Sequence, residues 1–311
     1  MSTATPGLPA GSTPELLPIR DVARQTGVNP VTLRAWERRY GLIQPQRTSK
    51  GHRLYSQAQI EQIRSVLGWL ERGVAVSQVK RLLDEPLPAS GAGACHWREQ
   101  QDAWLQSIEQ LAEGALDERF NQATALYPAE TLCRQLLLPL LARLQQHWNH
   151  QTGARVEQVF FLSWLRTKLG VRLHHGNRLH GGAPLLLLNL AEHSMEPQLW
   201  LCAWLASNAE CPVRLLDWSI PAPELALAVA RMQARAVLLF SNQSLDLNYL
   251  HRLLGNLDCP RVLCGNAVRI HQNELAELPA LTLADDPLHA LHCLQRLGVL
   301  AAEQGTSPCA N

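Results

Sequence analysis

The stretch from Ile19 to Tyr55, IRDVARQTGVNPVTLRAWERRYGLIQPQRTSKGHRLY, decides the fold of the first part of the chain. Ile19 to Thr26 reads as a short amphipathic helix closed by Gly27, because glycine turns left-handed at a helix end without steric cost. Asn29-Pro30 then supplies an N-cap and a first-turn proline, so a second helix starts after one tight turn. At about 100° per residue, Leu33, Trp36 and Tyr40 lie within about 60° of one another and make the buried stripe of that helix. Val31, Arg34, Ala35 and Arg38 face outward, and Thr32 and Arg39 complete the helical part of the candidate contact set. Arginines among small residues suit a major groove, where Arg bonds guanine O6 and N7 together and short side chains allow close approach. Glu37 sits at the edge of this face, placed to orient Arg34 or Arg38. Pro45 to Tyr55 follows with Arg47, Lys50, His52 and Arg53 around Gly51 and Tyr55 at its end, the pattern of a β-hairpin wing that neutralises phosphate.

Outward from this stretch, charge sets the module apart. Residues 19–83 carry 12 Lys/Arg against 4 Asp/Glu, a net +8, so the remainder carries −7 within an overall +1. A basic block joined to a mildly acidic body points to a polyanion partner, double-stranded operator DNA above all. At 311 residues, the chain has room for two or three domains. With 46% hydrophobic and 18% charged residues and 19 each of Gly and Pro, it is neither disordered nor collagen-like. No apolar run approaches the roughly 20 residues of a membrane span, and Met1 to Pro18 lacks the basic and apolar regions of a secretory signal. The expectation is a cytoplasmic protein with no membrane contact. Eight cysteines occur without a C-x-x-C pair, which reads as free buried thiols rather than a zinc ribbon or dithiol site.

Composition then divides the chain. Residues 1–18 read as a disordered leader, 19–83 as the DNA-binding domain and 84–95, rich in Pro, Gly, Ser and Ala, as a linker. From 96 to 178, apolar residues recur at three and four spacing, as in Trp104, Ile108 and Leu111. Breaks at Tyr127-Pro128 and Gln151-Thr152-Gly153 complete the pattern of a central four-helix bundle. From 183 to 303, short apolar runs alternate with helix-length segments. The runs are Leu185 to Leu190, Val213 to Trp218, Ala236 to Phe240, Arg261 to Cys264 and Ala280 to Leu283, and they predict a doubly wound, flavodoxin-like α/β domain. Residues 304–311 form a tail.

The residues Thr32 to Leu42, TLRAWERRYGL, with Pro45-x-Arg47-Thr48-x-x-Gly51-x-Arg53-x-Tyr55 after them, resemble the DNA-binding domain of MerR-type transcription regulators. The closest flavour is the cobalamin-linked, CarH/LitR-like branch. The resemblance implies a winged helix-turn-helix followed by a helical bundle and a Rossmann-like module that hold cobalamin between them and change oligomeric state on illumination. It also implies a homo-oligomer formed through the C-terminal domains and a repressor of light- or stress-inducible genes. The cobalamin motifs are degenerate. Where the family carries D-x-H-x-x-G, this chain reads Ala191-Glu192-His193-Ser194-Met195-Glu196, keeping only the histidine that can ligate cobalt. The lost Asp is the acceptor that orients and charges such an imidazole, and the lost Gly is where backbone approaches the cofactor tail. An S-x-L motif survives loosely at Ser241 or Ser244, and a Gly-Gly pair appears as Gly265-Asn266. The W-x9-E-H motif of light sensors keeps Trp148 but has Gln158-Val159 at its end, and valine ligates no metal.

The expectation is therefore a regulator with no bound cofactor and no metal, controlled through its C-terminal region by a protein partner such as a separate photoreceptor. Two alternatives stand beside it: a cobalamin-binding, light-sensitive repressor that uses His193 and Trp148, and a sensor of a small hydrophobic ligand lined by Trp97, Trp104, Trp148 and Trp164. His147/His150 and His289/His292 are i, i+3 pairs with no recognisable third ligand. Cys259 and Cys264 flank a short strand but lack the dimerisation helix beside which metal-sensing relatives place theirs. No G-x-S-x-G, P-loop or H-E-x-x-H occurs, so no enzyme is expected.

Overall fold

A computed structural model describes residues 16–83, 94–150, 154–191, 195–255, 257–278 and 280–301. The N-terminal unit runs β1 (Leu17–Pro18), α1 (Ile19–Thr26), α2 (Pro30–Ala35), β2 (Gln46–Arg47), β3 (Arg53–Tyr55), α3 (Gln57–Glu71) and α4 (Val76–Leu82). Gly27 closes α1 at φ 66°, and the Asn29 side chain accepts from the Val31 N–H at 2.8 Å to open α2. A wider, π-type turn, Trp36–Tyr40, prolongs α2 until Gly41 stops it at φ 58°. Ser56 and Gln59 cap α3 reciprocally, each side chain taking the other's backbone N–H. β3 lies between β1 and β2, both antiparallel to it. Leu17 and Pro18, expected in the leader, thus belong to the sheet; a two-residue strand carries no periodic signal.

Four rods follow: α5 (Ala94–Glu109), α6 (Glu113–Leu126), α7 (Ala129–Leu132) running through a π-type turn, Cys133–Leu137, into α8 (Leu138–His150), and α9 (Ala154–Leu179). Helix α5 begins inside the expected linker. The chain breaks at Tyr127-Pro128 as expected and also at Leu111, whose φ of 52° separates α5 from α6. Aromatic rings fill the bundle. Trp104 meets Phe120 at 6.2 Å and Trp164 at 5.8 Å, while Phe161 stacks on Trp164 at 5.8 Å between centroids. Across α6 and α9, Asp117 accepts from Trp164 Nε1 and Lys168 Nζ, both at 2.7 Å.

The C-terminal unit is β4 (Leu185–Asn189), α10 (Pro197–Asn208), β5 (Val213–Leu216), α11 (Ala222–Met232), β6 (Ala236–Phe240), α12 (Leu247–Leu254), β7 (Arg261–Cys264), α13 (Ala267–Ile270), α14 (Gln272–Ala276), β8 (Leu281–Ala284) and α15 (Pro287–Arg296). All pairings are parallel in the order β5-β4-β6-β7-β8, the doubly wound order of flavodoxin-like sheets. Leu185 and Leu187 of β4 face the core shared with the bundle, and Leu186 and Leu188 face a second core under α11 and α12. This two-sided burial is why β4 is an unbroken leucine run. β5 stops at Leu216, two residues short of the expected Trp218. Asn177 of α9 caps this edge strand, taking the Val213 N–H and donating to the Val213 carbonyl, both at 2.8 Å.

The three units share one core that runs from Val22 and Trp36 through the bundle to the sheet. Among the described residues, polar contacts that cross from the N-terminal unit include four. Trp36 Nε1 donates to the Leu126 carbonyl at 2.8 Å, Gln135 Nε2 to the Glu71 carbonyl at 2.8 Å, the Val76 N–H to Tyr127 Oη at 3.3 Å, and Arg24 pairs with Glu210 at 3.4 Å. Among the described residues, no helix is long and apolar enough to cross a membrane.

Candidate nucleic-acid interface

Helix α2 presents two faces set by the sequence period. Leu33 and Trp36 are fully buried, while Val31, Arg34, Arg38 and Arg39 are exposed and Ala35 is half-buried. The wing turns at Thr48 to Gly51, where the Gly51 N–H reaches the Thr48 carbonyl at 2.8 Å and the Thr48 N–H the His52 carbonyl at 2.9 Å. Gly51 sits at φ 82°, a conformation that leaves Lys50 and His52 at the tip. Arg47, Lys50 and His52 are exposed beside the helix face. Helix and hairpin together thus display a row of cations on a small-residue surface, the equipment for a groove flanked by phosphates.

Glu37 joins these two parts. Its carboxylate accepts from Arg47 at 2.8 Å and, more closely, from Arg53. Burial works to raise its pKa, but the hydrogen bonds from Arg53 and Arg47 outweigh burial and hold the carboxyl below its ordinary range. The expectation that Glu37 orients Arg34 or Arg38 is corrected: it holds the wing. The side chains of Arg34, Arg38, Arg39, Lys50 and His52 make no hydrogen bond or ion pair among the described residues. Arg53, half-buried on Glu37, is a strut. Two further expectations change. Thr32, at 1% exposure, lies on the buried flank with Trp36, because one helical turn separates them. Tyr55 is buried at 1% in the domain core, and burial, aided by Glu37, pushes its hydroxyl up to about 12.

At the carboxyl edge of the five-stranded sheet, polar side chains are taken up by one another. Asn242 Nδ2 donates to Glu196 at 3.0 Å, and its Oδ1 accepts the Asn266 N–H at 3.1 Å. Ser241 Oγ bridges the Gln243 backbone and Ser244 Oγ meets His271 Nε2 at 3.0 Å. Gly265, at φ 107°, lets β7 approach β6; a Cβ there would lie 2.4 Å from the Ser241 carbonyl oxygen. His193 lies outside the described residues. Trp148 is half-buried 6.4 Å from Phe161, its Nε1 is enclosed with no hydrogen-bond partner among the described residues, and Val159 is 50% exposed. Trp97, Trp104 and Trp164 are buried against neighbouring side chains in the core. His147 bonds Glu157 at 3.0 Å, and His289 accepts from the Asp285 N–H at 3.3 Å. Among the described residues, no group of three or more His, Cys, Asp or Glu could hold a metal ion.

A fold of this kind, with a cationic helix-and-wing surface on a bundle and a doubly wound sheet, defines a DNA-binding transcription regulator. Residues 17–86 match the MerR HTH family regulatory proteins. HTH-type transcriptional regulator MlrA of Escherichia coli (strain K12) is 43% identical over 206 residues, 66% of this chain and 81% of that protein. MlrA of Salmonella typhimurium (strain SL1344) is 35% identical over the same shares. HTH-type transcriptional repressor CarH of Myxococcus xanthus is 26% identical over 69% of this chain and 75% of its own length. The chain belongs to the MerR HTH family, in the branch that includes MlrA and CarH.

Proposed function

We propose that this chain is a cytoplasmic, homo-oligomeric repressor of light- or stress-inducible genes, controlled through its C-terminal region by a protein partner rather than by bound cobalamin. Arg34 and Arg38 read guanine edges from α2, while Arg47, Lys50 and His52 neutralise phosphate from the wing. One such domain offers a small interface, so nanomolar affinity calls for two or more copies on adjacent half-sites, held together through the bundle and sheet. The similarity to CarH, a transcriptional repressor, supports repression.

The observation that carries the cofactor-free reading is the closure of the sheet's carboxyl edge. In open α/β sheets, ligands enter just outside the strand ends. Here Glu196, standing where the family has glycine, is bonded to Asn242, which in turn holds the Asn266 backbone. A carboxylate in place of hydrogen takes up the room a cofactor tail requires, and Val159 offers no ligand on the bundle side. These residues do not fit a corrinoid. Beside them, Trp218 stands 70% exposed after β5, an apolar side chain suited to a protein surface rather than to solvent.

The test is an absorption spectrum of protein incubated with adenosylcobalamin in the dark and desalted. In parallel, gel retardation uses a 40-base-pair duplex enriched by the chain from a random pool. A colourless protein that retards the duplex is expected. A retained corrinoid band lost in His193→Ala would return the chain to the ligand-sensing class.

A further inference from the structure

Helix α11 follows the edge strand β5, and its two sides differ. Ala222 and Leu225 are buried in the second core, while Pro223, Glu224, Leu227, Ala230 and Arg231 are exposed. At about 100° per residue, Leu227 stands at the centre of the exposed sector, opposite the buried side. It is 48% exposed, and Trp218, in the loop that leads into the helix, is 70% exposed. An outward helix face is ordinarily polar along its length, yet the charge on this one is confined to Glu224 in the first turn and Arg231 in the last. Neither side chain makes a hydrogen bond or ion pair among the described residues. Seven residues bring a helix to within about 20° of two full turns, so the two charges lie on one line about 10 Å apart, with Leu227 between them.

This pattern is its own complement. In an antiparallel pairing of two copies about a two-fold axis midway along α11, Glu224 of each copy meets Arg231 of the other, and the two Leu227 side chains meet near the axis. A two-fold interface has this form, in which residue i contacts j and j contacts i. The exposed apolar residues of α9, Val156, Val159 and Val171, lack it. The charges exposed beside them on that helix are Arg155, Arg166 and Arg178, so two such faces would set like charges together. We propose that the exposed face of α11 is a two-fold interface that binds a second copy of this chain. The proposal rests on the homo-oligomeric reading above and gives it a surface. The axis that relates the two helices also relates the two DNA-binding domains, an arrangement matched by an inverted-repeat operator.

The test is sedimentation velocity of the full chain over a range of concentrations. Glu224→Arg or Arg231→Glu alone turns two attractions into repulsions and is expected to raise the dimer dissociation constant about ten-fold. An equimolar mixture of the two variants restores opposite charges at both ends and is expected to recover the parental dimer. Both native residues also suit the helix dipole, but a helix weakened within each chain is not repaired by mixing, so the mixture separates an interface from a local effect. A mixture no tighter than either variant alone, or reversals that dimerise like the parent, overturns the inference and leaves the homo-oligomeric reading in place. A parent that is monomeric both free and on the enriched 40-base-pair duplex overturns both. Where a reversal lowers the melting temperature, Glu224→Gln removes attraction without adding repulsion. It is expected to weaken the dimer about three-fold, and an unchanged dimer there also overturns the inference.

Discussion

Glu37, in the turn that prolongs α2, holds Arg47 and Arg53 of the wing at once, so one carboxylate fixes the angle between helix and wing. Replacing it by glutamine removes the charge from two hydrogen bonds, and we expect Glu37→Gln to cost about 1–2 kcal/mol of stability and to weaken duplex binding through a loosened wing. Its pKa is depressed in the folded chain, so the contribution is present in full above the ordinary carboxylate value of 4.5 and is lost as pH falls through the lower folded value. Melting curves of parent and variant should therefore converge in acid and separate towards neutrality. Parallel curves would assign the difference to packing.

Base reading and phosphate neutralisation separate by their salt response. Arg34→Ala or Arg38→Ala should cost about 1–3 kcal/mol and relax the preference at one base position. Lys50→Ala should weaken all sequences alike and reduce the salt slope by about one. A titration across several salt concentrations distinguishes the two patterns; equal losses on all sequences for Arg34→Ala would move base reading elsewhere.

Thr32→Val replaces an unpartnered buried hydroxyl with a methyl of the same shape. We expect it to stabilise the chain by about 1 kcal/mol. Calorimetry should show a raised melting temperature. A fall would mean that the hydroxyl is satisfied in the folded chain.

Gly265→Ala should destabilise the C-terminal unit by at least about 2–3 kcal/mol. The new methyl meets the Ser241 carbonyl, which is backbone and cannot rotate away. Urea denaturation is the measurement, and a loss below about 0.5 kcal/mol would show that β6 and β7 separate easily.

Local rules made much of this legible. Gly27, Asn29, Pro30 and Gly51 are residues whose backbone or capping chemistry permits few alternatives, and the helix-turn-helix and wing follow from them. The leucine run of β4 and the spacing of the later strands led to the parallel sheet. What escaped was set by distant partners. Glu37 gives no local sign that it will choose Arg47 and Arg53 over Arg34 one turn away. Thr32 reads as a contact residue on a helix considered alone and is buried in the folded chain. The hydrogen bond from Trp36 to Leu126 spans 90 residues, and nothing in either segment announces the other.

The side chain of Asn177 has a further consequence. β5 is an edge, and an open edge offers its N–H and C=O groups as a template on which another chain can extend the sheet. By taking both groups of Val213, Asn177 withholds the first rung of that template. For the several copies on adjacent half-sites proposed above, this guards against joining edge to edge, and leaves side chains instead of bare backbone to choose how copies pair.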